Sequence, residues 1–218
     1  MSQRREAAIV GIHEYPLRVA PGVSSLQIKA ASAAKALSDA GLNWQDVDAV
    51  YDTGTHQNIG GLGISEYLGL KPDLIDTTSV GGSSYEFQAN HAATMIASGK
   101  ANVALLTYGS TAHSDRRAIG TGGATGQGSP TPFNNMEDPY GMTGIANYAW
   151  VKARHMHQYG TTDEQFANIS VTTRYHAMRN PEAVKAMTDL EFVGVNEITT
   201  QDVLDSRLIA WPLHLLEC

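Results

Sequence analysis

Cysteine is almost absent from this 218-residue chain, whose single cysteine, Cys218, is the last residue. The chain therefore cannot form an internal disulfide or a cysteine-based metal site, and we expect it in the reducing cytoplasm. Positive charge is also scarce: 15 Lys and Arg stand against 22 Asp and Glu, a formal net charge of −7. This balance offers no general attraction to nucleic acid or to an anionic membrane surface. No apolar run approaches the length of a membrane span, so we expect neither a nucleic-acid nor a membrane partner.

What the sequence does contain is an alternation of strand-like and helix-like segments. Short apolar runs predict strands at residues 7–14, 47–54, 74–80 and 102–110. Helices are predicted between them, the first at 24–41, where Ser24 and Gln27 match a capping box and Gly41 is a stop signal. The continuous apolarity of the fourth run indicates a strand covered on both faces. This order predicts an α/β fold with a largely parallel sheet.

The second half of the chain has a different composition. Residues 111 to about 144 are dominated by Gly, Ser, Thr, Pro and Asn, which indicates a binding loop, a lid or a linker. Helices are predicted at about 144–158, at about 162–179 after a capping box of Thr161 and Glu164, and from Thr200. The final letters WPLHLLEC are strand-like.

One turn stands out as a candidate site. In IDTTSVGGSSYEF, a buried strand meets a helix start at Gly82, Ser83 and Ser84. Backbone N–H groups at a helix start can hold an anion or a developing oxyanion, so the turn fits a reactive site. A serine there can equally be a plain N-cap. Neither glycine cluster elsewhere matches G-x-G-x-x-G, which argues against a nicotinamide cofactor.

Three long segments carry a resemblance to a known family. They read TTSVGGSSYEFQANHAATMIASGKANVALLTYGS, DPYGMTGIANYAWVKARHMHQYGTTDEQFANIS and ITTQDVLDSRLIAWPLHLLEC. Together they resemble the thiolase superfamily, in particular its lipid-transfer or sterol-carrier branch. The resemblance implies an αβαβα layered fold built from two similar halves, of which this chain matches the N-terminal half with its inserted loop domain. It implies a core at 1–110, a loop domain with helices at 111–198 and a return to the core at 199–218, with the second half beyond residue 218 or on another chain.

The same resemblance suggests a reaction. Thiolases carry a nucleophilic cysteine at the strand-to-helix turn, where this sequence has Gly82. The chain is therefore similar to the thiolase-like aldolases of steroid side-chain degradation. That implies retro-aldol cleavage of a β-hydroxyacyl-CoA from a steroid or other lipid, with no permanently bound cofactor and with coenzyme A as part of the substrate. Three alternatives remain: Ser83 or Ser84 as the nucleophile, an acetyl-CoA acyltransferase using a cysteine in the other half, and a non-catalytic scaffold subunit.

The resemblance also nominates residues and partners. Candidate catalytic residues are Ser83, Ser84, Tyr85 and Tyr140, and candidate groups for binding the CoA thioester are Gly82, Met142, Arg116 and Arg117. Tyr85 fits a packed core position as well as a pocket, and the paired arginines could be ordinary surface residues. No metal site is expected. The expected partners are an acyl-CoA thioester, a second copy in a homodimer and an OB-fold subunit of the DUF35 type.

Overall fold

The computed structural model describes residues 6–54, 59–115, 144–191 and 194–217. The chain divides into two compact units, Met1–Asp115 and Arg116–Cys218. The three-part division predicted from the sequence stays a prediction. In the described part of the first unit the elements are α1 (Ser25–Ala40), β1 (Ala49–Asp52), α2 (Gly61–Leu68), β2 (Leu74–Asp76), α3 (Ser84–Ala97) and β3 (Ala104–Thr107), with a 3₁₀ turn at Trp44–Asp46. They follow the predicted order from residue 24 onward, which confirms the α/β class.

The boundaries of α1 follow the two signals read from its sequence. The Ser24 side chain accepts a hydrogen bond from the Gln27 N–H, and the Gln27 side chain accepts one from the Ser24 N–H, so the capping box forms. Gly41 closes the helix in the left-handed conformation, φ 70°. The buried face of α1 consists of Ser25, Lys29, Ala33 and Leu37, a four-residue spacing that places a lysine in the core.

The three described strands of the first unit form a parallel sheet in the order β2–β1–β3. The central strand is buried along its whole length. Val50 packs into a cluster with Ala33 and Leu37 of α1 and Ile64 of α2. On the opposite face, Ala49 and Tyr51 pack against Ala92 of α3. Helices therefore cover both faces of β1, and its side chains alternate between two cores.

The amino ends of the strands are tied together by Asp48. Its carboxylate accepts hydrogen bonds from the backbone N–H groups of Asn102 and Val103, at 2.8 and 2.9 Å, and from the Asn102 side-chain amide. Burial alone would raise the pKa of Asp48, but these hydrogen bonds outweigh it and lower the pKa below the ordinary aspartate value. The charged form of Asp48 thus supports the β1–β3 pairing.

Two strand predictions need correction. Residues 7–14 form no strand in the described part of the chain; Ile9 and Ile12 are 85% and 72% exposed, and the Ile12 N–H donates to Asp39 of α1. Apolar composition predicts a strand, but a ladder also needs a partner, and none of the described strands pairs with this segment. β3 is also not fully covered on both faces: Leu105 is buried on one face, whereas on the other face Ala104 packs with Ala92 of α3 and Leu106 is exposed. Within the described first unit, α3 covers only the amino end of that second face.

In the second unit the described elements are α4 (Gly144–Tyr159), α5 (Asp163–Ala177), α6 (Pro181–Asp189), α7 (Thr200–Asp205), β4 (Leu208–Ala210) and β5 (Leu213–His214), followed by a 3₁₀ turn at Leu215–Glu217. The cap of α5 is Thr162 with Gln165, one residue later than predicted. TTDEQ contains two overlapping capping-box matches, and the helix uses the second. The strand-like end of the chain forms an antiparallel hairpin of β4 and β5.

A buried lysine links the first helix of this unit to the hairpin. The Lys152 ammonium of α4 donates to both carboxylate oxygens of Glu217, at 2.7 and 2.9 Å, and to the Pro212 carbonyl at 2.8 Å. It also lies 2.8 Å from an oxygen of Asp163 and 5.2 Å from the centre of the Phe166 ring. One cation therefore connects four parts of the second unit.

Within the described ranges, no helix combines the length and the apolar composition that crossing a membrane requires.

Candidate functional site

The carboxyl ends of the parallel strands share one edge of the sheet, and the start of α3 lies at that edge. The chain leaves β2 and turns through Gly81, which has φ 79°, a conformation that favours glycine. Gly82 is not in this left-handed region, and a Cβ built on it would meet no atom within 4 Å. Gly82, which the resemblance to thiolases aligns with their nucleophile, thus lies in open space; that alignment stays a prediction.

The two serines of the turn have different surroundings. Ser83 is the exposed N-cap residue of α3, and its side chain makes no capping hydrogen bond. Ser84 is fully buried; its hydroxyl accepts from the Val80 N–H at 2.9 Å and donates to the Gly81 carbonyl at 2.6 Å. The Ser84 hydroxyl therefore holds the shape of the turn. Their proposed catalytic roles stay predictions.

Tyr85 contacts the chain beyond two different strands. Its hydroxyl lies 3.1 Å from the Thr53 hydroxyl, which follows β1. Its ring packs edge-on against Tyr108, which follows β3, with 5.2 Å between ring centres. Burial is the main cause that raises the pKa of Tyr85; the Thr53 hydrogen bond opposes this, and Tyr108 and Asp52 add to it. The phenol is therefore neutral at ordinary pH and able to donate a hydrogen bond.

Behind Thr53 lies a buried ion pair. The Lys29 ammonium and the Asp52 carboxylate are 2.8 Å apart, and both side chains are fully buried. Asp52 also accepts from the Thr107 hydroxyl at 2.6 Å and from the Gly54 N–H at 2.7 Å. The pair thus joins α1, the ends of β1 and β3, and the turn that carries Thr53.

A second polar pair lies at the end of β2. His91 Nδ1 of α3 is 2.6 Å from an Asp76 oxygen, and the Thr78 hydroxyl donates to the same carboxyl group at 2.8 Å. Burial would raise the pKa of Asp76, but the hydrogen bonds from His91 and Thr78 outweigh it and lower the pKa. This pair fixes the chain between β2 and the Gly81 turn.

Four of the nominated site residues lie outside the described residues: Tyr140, Met142, Arg116 and Arg117. The structure does describe Gly82, Ser83, Ser84 and Tyr85, which are consecutive in the chain and therefore close together.

Sequence reasoning missed Lys29, Asp52, Thr53 and Tyr108. Lys29 could have been found from its four-residue spacing with Ala33 and Leu37 on a helix already predicted. Thr53 and Tyr108 each lie near the carboxyl end of a predicted strand, and the carboxyl ends of parallel strands are where α/β proteins gather their functional groups. Gly109 gives a further signal: a Cβ there would lie 2.8 Å from the Lys29 side chain and 2.7 Å from the Ser25 carbonyl oxygen. The chain that follows β3 can therefore pass α1 at this point only with glycine.

No family model matches the chain. Among characterised proteins it is 33% identical over 221 residues to the 17-hydroxy-3-oxo-4-pregnene-20-carboxyl-CoA lyase of Mycobacterium tuberculosis, an alignment that covers 98% of this chain and 54% of the lyase. It is 30% identical to the steroid side-chain-cleaving aldolase of Thermomonospora curvata, over 97% of this chain and 53% of the aldolase. An acetyl-CoA acetyltransferase of Methanothermobacter thermautotrophicus is 27% identical over 98% of this chain. The chain spans about half the length of these relatives.

Solved structures share the fold. The Ltp2-ChsH2(DUF35) aldolase superposes with a TM-score of 0.77 and 28% identity, over 97% of this chain and 51% of that one. A monomeric SCP2-thiolase-like protein of Mycobacterium smegmatis gives a TM-score of 0.58 at 18% identity, over 91% of this chain. At that identity the second likeness concerns the fold alone.

Proposed function

Since this chain belongs to the thiolase-like family and has its α/β fold, we propose that it forms part of an enzyme that cleaves a β-hydroxyacyl-CoA by a retro-aldol reaction. The proposal agrees with the names of two relatives that align over nearly the whole chain at 33% and 30% identity, a CoA-ester lyase and a side-chain-cleaving aldolase. The acyl group that we propose is a steroid or other lipid side chain.

One observation carries the choice of reaction. At the start of α3, Gly82 presents no side chain that could attack a thioester, while the N–H end of a 14-residue helix and the Tyr85 phenol remain beside it. Acyl transfer through this turn requires a nucleophile. Retro-aldol cleavage requires stabilisation of a developing negative charge on the thioester oxygen, which hydrogen-bond donors and a helix dipole supply.

The proposed reaction balances without a cofactor. A base removes the proton of the β-hydroxyl group, the bond between Cα and Cβ breaks, and Cβ leaves as a ketone or aldehyde. The bonding electrons pass to the thioester as an enolate, which a proton at Cα then converts to the shortened acyl-CoA. We assign to this chain the groups that hold the enolate oxygen: the N–H groups of the first turn of α3, apart from that of Ser84, which donates to the Gly81 carbonyl, and the neutral phenol of Tyr85. Ser83, the exposed N-cap residue of α3, is a further proposed contributor.

The proposed partners follow from the same comparison and from the surface of the sheet. We propose coenzyme A as part of the substrate and no permanently bound cofactor. We also propose a DUF35-type OB-fold subunit, because the aldolase structure that superposes with a TM-score of 0.77 carries DUF35 in its name.

We further propose a homodimer formed along β2, because Ile75, Val80 and Phe87 expose apolar surface beside that edge strand. A light-scattering mass equal to one chain at micromolar concentration would contradict the dimer.

The single cysteine supports a cytoplasmic location.

Product analysis tests the reaction. The protein, alone and mixed with a DUF35-type subunit, is incubated with a β-hydroxyacyl-CoA whose β-carbon carries a tertiary alcohol, and the products are separated by liquid chromatography and mass spectrometry. We expect a ketone and a shortened acyl-CoA in equal amounts, without free coenzyme A. Tyr85→Phe should lower the rate by about 10²-fold, as for other oxyanion donors. Release of free coenzyme A with an acyl group on the protein would instead indicate acyl transfer.

A further inference from the structure

The Lys29–Asp52 ion pair has no role in the reaction described so far, yet it is the most completely buried charged pair in the described first unit. Both side chains are inaccessible, and the carboxylate makes four contacts: two with the ammonium and one each with Thr107 and Gly54. Exchange of such a pair for well-packed apolar residues is often neutral or stabilising. Stability alone therefore does not explain two charges at this position.

The contacts of Asp52 lead toward the candidate site. The Gly54 N–H that Asp52 binds belongs to the residue after Thr53, so the carboxylate fixes the turn in which Thr53 stands. The Thr53 hydroxyl contacts the Tyr85 hydroxyl at 3.1 Å. Thr107, the other hydroxyl on Asp52, directly precedes Tyr108, whose ring packs against Tyr85. Both neighbours of Tyr85 are thus held from the same carboxylate.

We propose that Lys29 and Asp52 are positioning residues for Tyr85, acting through the Thr53–Gly54 turn and through the end of β3. The Lys29 ammonium of α1 fixes the Asp52 carboxylate at the end of β1. The carboxylate fixes the ends of β1 and β3, and these strand ends set the positions of the hydroxyl and the ring of Tyr85. This inference rests on the proposed role of Tyr85 at the thioester oxygen. Its geometric part holds or fails independently of the reaction.

Carbon-13 NMR of the chain labelled at tyrosine Cζ measures the position of Tyr85 without an activity assay. The signal that disappears in Tyr85→Phe identifies the residue. We expect Asp52→Asn and Thr53→Val to move or broaden the Tyr85 signal. Thr53→Ser retains the hydroxyl, so its Tyr85 signal should match that of wild type. Lys185→Met, which removes an exposed lysine of α6, should leave the signal in place. If Asp52→Asn does not fold, Thr107→Val replaces it, since that change keeps the ion pair and removes one contact of the carboxylate.

Folded Asp52→Asn or Thr107→Val protein with an unchanged Tyr85 signal would overturn the proposal, as would a failure of Thr53→Ser to restore the signal lost in Thr53→Val. Kinetics of the active enzyme provide a second readout. Displacement of a positioned group by about 1 Å costs up to roughly 10²-fold in rate, so Thr53→Val should lower kcat by 10- to 100-fold while KM changes far less. A changed Tyr85 signal with unchanged kcat would keep the positioning network and reject the proposed role of Tyr85, which separates the two failures.

Discussion

The two units each bury one lysine, and the surroundings of the two lysines differ. Lys29 has a single carboxylate partner, is completely inaccessible and lies behind the ends of β1 and β3. Lys152 has two carboxylate neighbours and a carbonyl, and its contacts run to the start of α5 and to the terminal hairpin. Through Asp52, the first lysine is linked to the Thr107 hydroxyl and the Gly54 N–H beside a candidate site. The second lysine binds two carboxylates and the Pro212 carbonyl. The same residue type therefore lies behind a candidate site in one unit and joins helices to the hairpin in the other.

The largest expected effect on the free energy of unfolding comes from replacing either buried lysine. Lys152→Met leaves the nearly buried Glu217 carboxylate without its cation, which should lower the free energy of unfolding by about 3–5 kcal/mol. Lys29→Met should cost a similar amount, because Asp52 is fully buried. Urea unfolding followed by circular dichroism measures both.

The matched control is Lys185→Met, which removes an exposed partner of Asp189 in α6 and should cost less than about 1 kcal/mol. A loss of unfolding free energy for Lys152→Met as small as that of this control would contradict the account of the buried contacts of Lys152.

The adjacent glycines Gly81 and Gly82 allow a second comparison, this time within the first unit. Gly81→Ala places a side chain at φ 79° and should destabilise the protein by about 1–2 kcal/mol. Gly82→Ala has open space and no left-handed backbone, so we expect it to be neutral or to stabilise by about 0.4–1 kcal/mol. Thermal unfolding of the two variants measures the difference, and equal melting temperatures would contradict the described turn.

A smaller effect should appear at the amino ends of the strands, away from the candidate site. The folded-state pKa of Asp48 is lowered, so its contribution to stability is present above the unfolded value of about 3.9 and is lost as the pH falls through the lowered folded-state pKa. Asp48→Asn should cost up to about 1 kcal/mol at pH 7, since the group is partly exposed. Urea unfolding from pH 7 to pH 2 should show this difference shrinking below about pH 4. A difference that stays constant over this range would contradict the charge assignment.

The comparison also shows what sequence could and could not predict. Local signals were sufficient for α1, whose cap and stop residues act within one helical turn, and for the order of β1, β2 and β3. They were not sufficient for residues 7–14, because a strand needs a partner that no local pattern identifies. They placed the cap of α5 one residue early, because two overlapping motifs compete.

Local sequence signals likewise identified only part of the candidate site. The turn from Gly82 to Tyr85 could be identified because it lies in one continuous stretch. The contacts of Tyr85 with Thr53 and Tyr108 join residues 32 and 23 positions apart in the chain, and only the parallel sheet brings them to one edge. Lys29 was predictable as a buried position on α1, but its partner Asp52 depends on how α1 packs against β1.

The most direct test of the central claim is the intact mass of the protein after incubation with an acyl-CoA. The claim is that the start of α3 holds a thioester without forming an acyl-enzyme. We expect wild type to show no added mass, and Gly82→Cys, which the open space around Gly82 should accommodate, to gain one acyl group. An acyl adduct on wild-type protein that maps to Ser83 or Ser84 would contradict the retro-aldol account and identify serine as the nucleophile.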